Sequence, residues 1–257
     1  MKKIWYWFKQ IMPRRLTIFS RMGGKFRLRK KIVDMFPPRY STYIEPFVGS
    51  GQVFLELPKR PHVRYILNDK NKDIYYIWKD LQKVSSDEVR QYDFTGNKET
   101  FDRLKQSNPS RPQQRLFRNL YLSYYSFSGL RNAYTPKPLK KGANLIKNVD
   151  YFKNKLKGVK IYNQDYKKVI EKWDNKDAII YMDPPYTKME RYYQGQAIDP
   201  YELAKICRQI QGKFILSYDI SPQVRDAFKG FYFHRVKVPY TSGLGGKAKY
   251  EYLITNY

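Results

Sequence analysis

The sequence contains few of the side chains that bind metals or form covalent cross-links. Cys207 is the only cysteine, so no disulfide can form within the chain, and a reducing compartment, the cytoplasm, is expected. His62 and His234 are the only histidines, and neither stands in a spacing typical of a metal site. We therefore predict that the protein uses no zinc or other metal.

Acidic residues and long apolar runs are also scarce. Against 50 Lys and Arg there are 23 Asp and Glu, a formal net charge of +27. Such an excess favours a polyanionic partner, with nucleic acid first and an anionic membrane surface second. No stretch is long enough to cross a bilayer, and Lys9 interrupts the N-terminal apolar run too early for a signal peptide. We predict that residues 1–20 form a basic aromatic arm and expect no membrane partner.

Aromatic residues, in contrast, are abundant. The chain has 25 Tyr, 15 Phe and 4 Trp, many of them between basic residues. Rings next to cations suit stacking on bases and contact with phosphates, whereas a tyrosine-rich core is the alternative explanation.

A short apolar run, Ala178-Ile179-Ile180-Tyr181, leads to a carboxylate, two prolines and a ring. Four apolar residues without a polar face predict a buried strand of a parallel sheet, and the prolines must end it. Asp183 then lies where open α/β sheets hold ligands. Its carboxylate and the Pro184 carbonyl are two acceptors that suit an NH₂ group, and Tyr186 offers a face for stacking. The alternative is a strand end with a proline-stiffened turn and a tyrosine lid.

A second strand, Tyr43-Ile44-Glu45, runs through Pro46 and Phe47 into Val48-Gly49-Ser50-Gly51. Glycines where a strand passes into a helix permit close backbone approach to a ligand. Asp69 follows another strand about 20 residues later, where an acid accepts hydrogen bonds from ribose. The third glycine of the dinucleotide fingerprint is missing, which disfavours a nicotinamide cofactor.

Met22-Gly23-Gly24-Lys25 precedes a helical pattern that stops at Pro37-Pro38. Paired glycines ahead of a helix let N–H groups approach an anion, and Lys25 adds a charge. This signal is weak in isolation.

Together these segments resemble a known family, the Dam-like S-adenosylmethionine-dependent DNA adenine-N6 methyltransferases (D12 class, alpha group). The resemblance rests on six ordered segments that reach from about residue 20 to the C-terminus. They are Gly23-Gly24-Lys25, Phe47-Val48-Gly49-Ser50-Gly51, Asn68-Asp69-Lys70-Asn71, Gln164-Asp165-Tyr166 with Asp183-Pro184-Pro185-Tyr186, and Glu251-Tyr252-Leu253-Ile254-Thr255-Asn256.

The resemblance implies an α/β fold: a Rossmann-like class I methyltransferase sheet, its last strands antiparallel, with an inserted, mainly helical target-recognition domain. It also implies that the glycine turn surrounds the methionine part of S-adenosylmethionine, that Asp69 binds its ribose, and that Asp165 lies near its adenine. The predicted cofactor contacts are Gly24, Lys25, Glu45, Pro46, Phe47, Gly49, Gly51, Asp69, Asp165 and Asp183.

Residues 80–150 contain several Pro and Gly breaks, and we predict that they are an insertion. The catalytic domain would then comprise 21–79 and 151–257. In relatives the insertion is the target-recognition domain, and Ser128-Gly129-Leu130-Arg131-Asn132 is similar to a segment that touches DNA. The alternative is that Leu116, Leu120, Leu122 and several tyrosines form the core of the insertion. The predicted DNA contacts are Arg111, Arg115, Arg118, Tyr125, Arg131, Asn132 and Lys247.

The predicted function is methylation of the N6 amine of an adenine flipped out of duplex DNA, with Asp183, Pro184 and Tyr186 as the catalytic residues. We expect a monomer or weak dimer. The position of Cys207 on the apolar face of a predicted helix argues against thiolate attack on cytosine C5. The alternatives left open are an RNA adenine methyltransferase and an inactive DNA-binding relative.

The charge of +27 predicts that affinity for duplex DNA falls steeply with salt. Each phosphate contact releases counterions, so the logarithm of the affinity should fall in proportion to the number of contacts. Titrations of a labelled duplex at low and at physiological salt measure this slope. An affinity unchanged between the two conditions would contradict the prediction.

Overall fold

A computed structural model describes residues 17–19, 21, 23–136, 140–185, 198–238 and 249–257. Tyr186, Lys247 and most of the predicted arm 1–20 lie outside the described residues, so their predicted roles stay predictions. Helices and strands are numbered below in chain order within the described part of the chain.

Seven described strands form one sheet in the order β3-β2-β1-β4-β5-β7-β6. Strands β3, β2, β1, β4 and β5 are parallel to their neighbours, whereas β7 is antiparallel to both β5 and β6. The predicted methyltransferase sheet with antiparallel last strands is therefore confirmed. The strands are β1 Thr42–Glu45, β2 Arg64–Asn68, β3 Lys160–Tyr162, β4 Ala178–Met182, β5 Lys213–Asp219, β6 Tyr232–Val238 and β7 Lys249–Thr255.

The strand β4 lies near the middle of the sheet because all five of its residues are apolar and buried. Ile180 pairs with Ile44 of β1 on one side and with Phe214 of β5 on the other. A strand with neighbours on both sides and no polar face needs cover on both faces, as the sequence predicted.

The chain divides into two compact units. The first, the sheet unit, comprises 25–49, 57–75 and 158–257, and the second, the helical unit, comprises the described residues of 1–24 with 50–56 and 76–157. Helices of the sheet unit are α1 Arg29–Asp34, α9 Tyr166–Trp173, α10 Pro200–Gln209 and α11 Pro222–Ala227. Those of the helical unit are α2 Gln52–Glu56, α3 Lys72–Lys83 from Tyr76 onward, α4 Ser86–Arg90, α5 Lys98–Gln106, α6 Pro112–Tyr124, α7 Lys140–Lys147 and α8 Val149–Leu156. None of the described helices is long and apolar enough to span a membrane.

Helix α10 has a capped start, since the Asp199 side chain accepts a hydrogen bond from the Tyr201 N–H and Pro200 is the first helical residue. Cys207 is buried on its core face, as predicted. The helix ends at Gln209, and Gly212 lies three residues further on. A Cβ at Gly212 would lie 2.7 Å from the carbonyl oxygen of Ala178, so this position needs glycine.

The core of the helical unit is built around α6. Leu116, Leu120 and Leu122 are buried, and so are Tyr121 and Tyr124. The Tyr121 hydroxyl donates a hydrogen bond to the Thr95 carbonyl at 2.8 Å, and the Tyr124 hydroxyl donates one to the Ile18 carbonyl at 2.9 Å. The alternative explanation of these residues, that they form a core, is confirmed for all five.

A buried ion pair also holds the helical unit together. The Arg115 guanidinium donates to both carboxylate oxygens of Asp80, each at 2.7 Å, and Asp80 is fully buried. The same guanidinium lies over the Tyr76 ring, 3.8 Å from its centroid. Planar, two-pronged pairing of this kind requires arginine rather than lysine.

Replacing Arg115 with methionine should destabilise the protein by roughly 3–5 kcal/mol, because it leaves the Asp80 carboxylate buried without its guanidinium. Thermal and denaturant unfolding of the variant measure the change. Lys98→Met is the control, since Lys98 makes an exposed ion pair with Asp102 in α5 and should change stability little. A stability equal to that of the parent for Arg115→Met would show that the pair contributes nothing net.

Candidate functional site

The polar residues of interest in the sheet unit gather at the carboxyl ends of its parallel strands. Strands β1 and β4 are neighbours, and the chain order of the sheet reverses between them. In open α/β sheets ligands bind at such a reversal, since the loops after the two strands turn to opposite faces and leave a crevice. Asp183 directly follows β4 and is partly exposed, while Pro184 is buried. Both therefore lie at this crevice, as predicted.

The loop after β1 supplies the other side of this edge. Gly49 has a φ of 47°, a conformation that favours glycine. Its N–H donates to Asp69 Oδ2 at 2.9 Å, and the N–H of Asn71 donates to Asp69 Oδ1 at 2.9 Å. The structure thus brings Gly49 and Asp69 together, as predicted. A carboxylate accepts more than one hydrogen bond at each oxygen, so these two bonds leave Asp69 able to bind hydroxyls.

Asn68, the last residue of β2, connects three loops at this edge. Its side-chain NH₂ donates to the carbonyls of Pro46 at 2.9 Å and Gln164 at 3.0 Å, and its Oδ1 accepts the Gln164 N–H at 2.9 Å. Asn68 belongs to one of the sequence motifs, but no role was predicted for it. Its role follows from its burial, because a buried side-chain amide needs hydrogen-bond partners, and at a strand end these are backbone groups of the neighbouring loops.

Asp165 caps the start of α9, with Oδ1 accepting the Lys167 N–H at 3.0 Å. Its Oδ2 lies 3.5 Å from the exposed ammonium of Lys70, which follows Asp69. Asp69 and Asp165 therefore stand on neighbouring loops, after β2 and β3. The ring of Phe47, another predicted contact, packs against that of Tyr166, with centroids 5.0 Å apart.

Lys25 and Glu251 place charge beside Asp183. Lys25 Nζ donates to Asp183 Oδ1 at 2.6 Å and lies 3.7 Å from Glu251 Oε2. Glu251 was quoted only as part of the C-terminal motif, and its proximity to Asp183 could not be read from a separation of 68 positions. Contacts that depend on the pairing of β5 with β7 have no local sequence signal.

Buried tyrosines surround these acids. Tyr43 donates its hydroxyl to Glu45 Oε2 at 2.7 Å, and burial, followed by the Glu45 charge, raises the pKa of Tyr43 well above its usual value. Burial, with the Asp183 charge second, likewise raises the pKa of Tyr181. Both hydroxyls therefore stay protonated, so neither ring adds a negative charge to this edge.

Two further predicted cofactor residues, Gly24 and Gly51, belong to the helical unit. Gly51 has a φ of 61°, and a Cβ on Gly24 would lie 3.1 Å from the Arg21 carbonyl oxygen. Both positions thus require glycine for reasons within their own unit. Their contact with a cofactor stays a prediction.

The predicted DNA contacts of the helical unit differ in how much of the side chain is available. Arg111 and Asn132 are exposed. Arg118 donates to the Leu104 carbonyl at 2.9 Å in addition to other internal acceptors. Tyr125 is buried and donates its hydroxyl to the Phe94 carbonyl, an arrangement that fits the core alternative. Contact with DNA stays a prediction for all of them.

Arg131 lies in a special backbone conformation. Its φ is 61°, a backbone angle that residues other than glycine adopt infrequently. The guanidinium donates to Ser123 Oγ at 3.1 Å and to the Asn119 carbonyl at 3.2 Å, which holds the turn in place. Phe127, just before this turn, has 63% of its surface exposed. A fixed turn that presents a ring and the exposed Asn132 is suited to contact with bases.

The described residues contain no group of three or more metal-ligating side chains. Burial raises the pKa of the Cys207 thiol above its usual value, so it is not a thiolate at neutral pH. The chemistry that this edge of the sheet can provide is therefore acceptance and orientation by carboxylates, carbonyls and one buried ammonium.

Comparison with known proteins agrees with this chemistry. A family model described as D12 class N6 adenine-specific DNA methyltransferase matches residues 22–242. A DNA adenine methylase from Haemophilus influenzae is 31% identical over 84% of this chain and 84% of its own length. The type II methyltransferases M1.LlaDCHI from Lactococcus lactis and M.MjaIII from Methanocaldococcus jannaschii are each 24% identical over 91% of this chain, and over 93% and 96% of their own lengths.

The precorrin-6y C5,15-methyltransferase of Geobacter metallireducens aligns over 93% of this chain and 92% of its own, with a TM-score of 0.44 and 11% identity, and we infer nothing from this likeness. The family match covers most of the sequence and includes every predicted catalytic residue. The chain belongs to the D12 class of N6 adenine-specific DNA methyltransferases.

Proposed function

We propose that the methyl donor is S-adenosylmethionine, held at the carboxyl edge of the sheet unit, and that the acceptor amine is held by Asp183 and the Pro184 carbonyl. The observation that carries this proposal is the position of Asp183 at the chain reversal between β1 and β4, at the sheet edge where Gly49 also binds Asp69. An adenine-specific enzyme needs one place for the donor and one for the amine, and this edge offers acceptors for both.

The residues at this edge fit the proposed donor. Gly49 at a φ of 47° keeps side-chain atoms away from the loop, so a ligand can approach the backbone. Asp69 is fixed by two backbone N–H groups and can accept ribose hydroxyls. Asp165 lies on the neighbouring loop and would hold the adenine of the donor, as the family resemblance implies. When bound, S-adenosylmethionine would supply an electrophilic methyl group, with its sulfur as the leaving group that keeps the electron pair.

The protein's part in this transfer is orientation and charge. Asp183 and the Pro184 carbonyl accept the two N–H groups of the amine, which directs the N6 lone pair away from them and toward the methyl group. Positive charge that develops on N6 is stabilised by the carboxylate, to which the surplus proton passes before it reaches solvent. The chemistry therefore needs no covalent intermediate on the protein.

Access to N6 requires that the adenine leave the helix, because the amine is stacked and paired inside a duplex. We propose that the exposed side chains of Arg111 and Asn132, with Phe127 in the turn fixed by Arg131, contact DNA from the helical unit. Arginine suits phosphate and guanine, and asparagine suits adenine. Arg115, Arg118 and Tyr125 have internal partners, and we propose that they support this surface rather than read bases.

Asp183→Asn should lower turnover by about two orders of magnitude or more while cofactor affinity changes little, because the amide replaces one acceptor with a donor. The assay uses labelled S-adenosylmethionine with mixed-sequence duplex DNA, and with RNA in parallel, followed by digestion and identification of the modified base. Asp226→Ala, an exposed carboxylate, is the control. N4-methylcytosine in place of N6-methyladenine, or an unchanged rate for Asp183→Asn, would contradict the proposed site.

Gly49→Val should weaken cofactor binding by roughly tenfold or more, because a branched side chain at positive φ distorts the loop and its hydrogen bond to Asp69. Calorimetric titration with S-adenosylmethionine measures the loss. Gly158→Val is the matched control: Gly158 also has a positive φ, of 75°, but nothing lies within 4 Å of its Cβ position. It should be destabilised similarly and bind cofactor normally. Equal losses in both variants would assign the effect to folding alone.

A further inference from the structure

The sheet unit contains a lysine that is buried among acids. Lys25 is 5% exposed, with Nζ 2.6 Å from Asp183 Oδ1 and 3.7 Å from Glu251 Oε2. Moving an ammonium out of water is unfavourable by several kcal/mol unless close carboxylates compensate it. A lysine placed only for solubility would extend into solvent, as its flexible stem allows. The burial of this one therefore indicates a task at its partners.

The position of this ammonium is set by the fold. The Lys25 carbonyl accepts the N–H groups of Leu28 at 3.0 Å and Arg29 at 2.8 Å, which fixes its backbone at the start of α1. Glu251 lies on β7, opposite Asp219 of β5. Asp183 follows directly from β4. Glu251 thus lies within a strand, Asp183 one residue after a strand and Lys25 in the turn before α1, so the backbone of the sheet unit sets where all three charges lie.

We propose that Lys25 is a positioning residue for Asp183. Its ammonium keeps the carboxylate ionised and in one orientation, ready to accept the adenine amine, and Glu251 holds the ammonium from the other side. This inference rests on the proposed function, and it gives Lys25 a different task from the cofactor contact predicted from sequence. An opposite charge within hydrogen-bond distance favours the ionised form of a carboxyl group, and a charge-assisted bond restricts its rotation.

Several charged or titratable groups surround Asp183, and they determine how a pH experiment is read. They are Lys25, Glu251 and Tyr181, with Glu45 acting on Tyr181 from β1. Burial raises the pKa of Tyr181 well above its usual value, so this ring does not titrate near neutral pH. A pH dependence that appears when Lys25 is removed is then attributable to the carboxyl groups.

The test is Lys25→Met, with Lys205→Met as the matched control. Lys205 makes an exposed ion pair with Glu202, at 2.8 Å, on α10. Single-turnover methylation of duplex DNA is measured from about pH 4.5, near the ordinary range of a carboxyl group, to about pH 9, together with cofactor affinity by calorimetry and thermal unfolding. Lys25→Met should lose at least about tenfold in rate at the acidic end. The deficit should narrow as the pH rises, because at higher pH the Asp183 carboxyl group is ionised even without the ammonium. Cofactor affinity and the control should be unchanged.

A second variant keeps the inference testable if Lys25→Met folds poorly. Lys25→Met combined with Glu251→Gln removes the buried carboxylate that would otherwise lose its cation, so thermal stability should recover. The loss of rate at acidic pH should persist, since Asp183 still lacks its ammonium. Wild-type turnover at every pH in this double variant would overturn the inference, because Lys25 would then serve only to neutralise Glu251.

Three other outcomes would also overturn the inference. They are a folded Lys25→Met variant with the parent rate and pH profile, a loss of rate that is equal at every pH, and a loss of cofactor affinity with unchanged turnover. Absence of N6-methyladenine from the unsubstituted protein would be a different failure. It would overturn the proposed function, and this inference with it, before any variant was compared.

Discussion

The parallel pairing of β1 with β4 is the constraint on which the rest of the site depends. Because the sheet order reverses between these two strands, the loops that follow them open a crevice at one edge. That reversal places Asp183 at the same edge of the sheet as Gly49 and Asp69, although more than a hundred residues separate it from either. Ile44 pairs with Ile180 in the interior of the sheet, where every residue of both strands is buried. The hydrophobic effect thus determines where the chemistry occurs.

Several charged side chains at this edge are buried, and opposite charges on neighbouring residues stabilise them in place of solvent. Glu45, Asp219 and Glu251 are all buried near strand ends, and Lys25 is buried with two of the site's carboxylates as partners. In a site that excludes water, fixed charges act more strongly than in solution. A preorganised carboxylate avoids reorientation during methyl transfer. The same low exposure keeps the neighbouring tyrosines protonated, which limits the negative charge that Asp183 experiences.

In the helical unit, too, charged and polar side chains are paired with partners inside the protein. Two residues that the sequence predicts to contact nucleic acid have partners inside the protein. Arg115 pairs with Asp80, and Tyr125 donates a hydrogen bond to the Phe94 carbonyl. Arg131 and its partners instead fix a turn that leaves Phe127 and Asn132 exposed. Composition reports how many basic and aromatic side chains a chain has, and packing decides which of them remain available to a partner.

The sequence by itself determined the apolar strands, the glycine turn, the start of α10 and the place of Asp183 after β4, since each depends on residues close together in the chain. The family and its reaction followed from motifs of the same local kind. Only the tertiary structure decided that Asn68 connects three loops, that Gly212 is required by close approach to Ala178, and that Lys25 meets Asp183 and Glu251. These contacts join residues far apart in sequence, and their distances are set by strand pairing and packing, which no local pattern encodes.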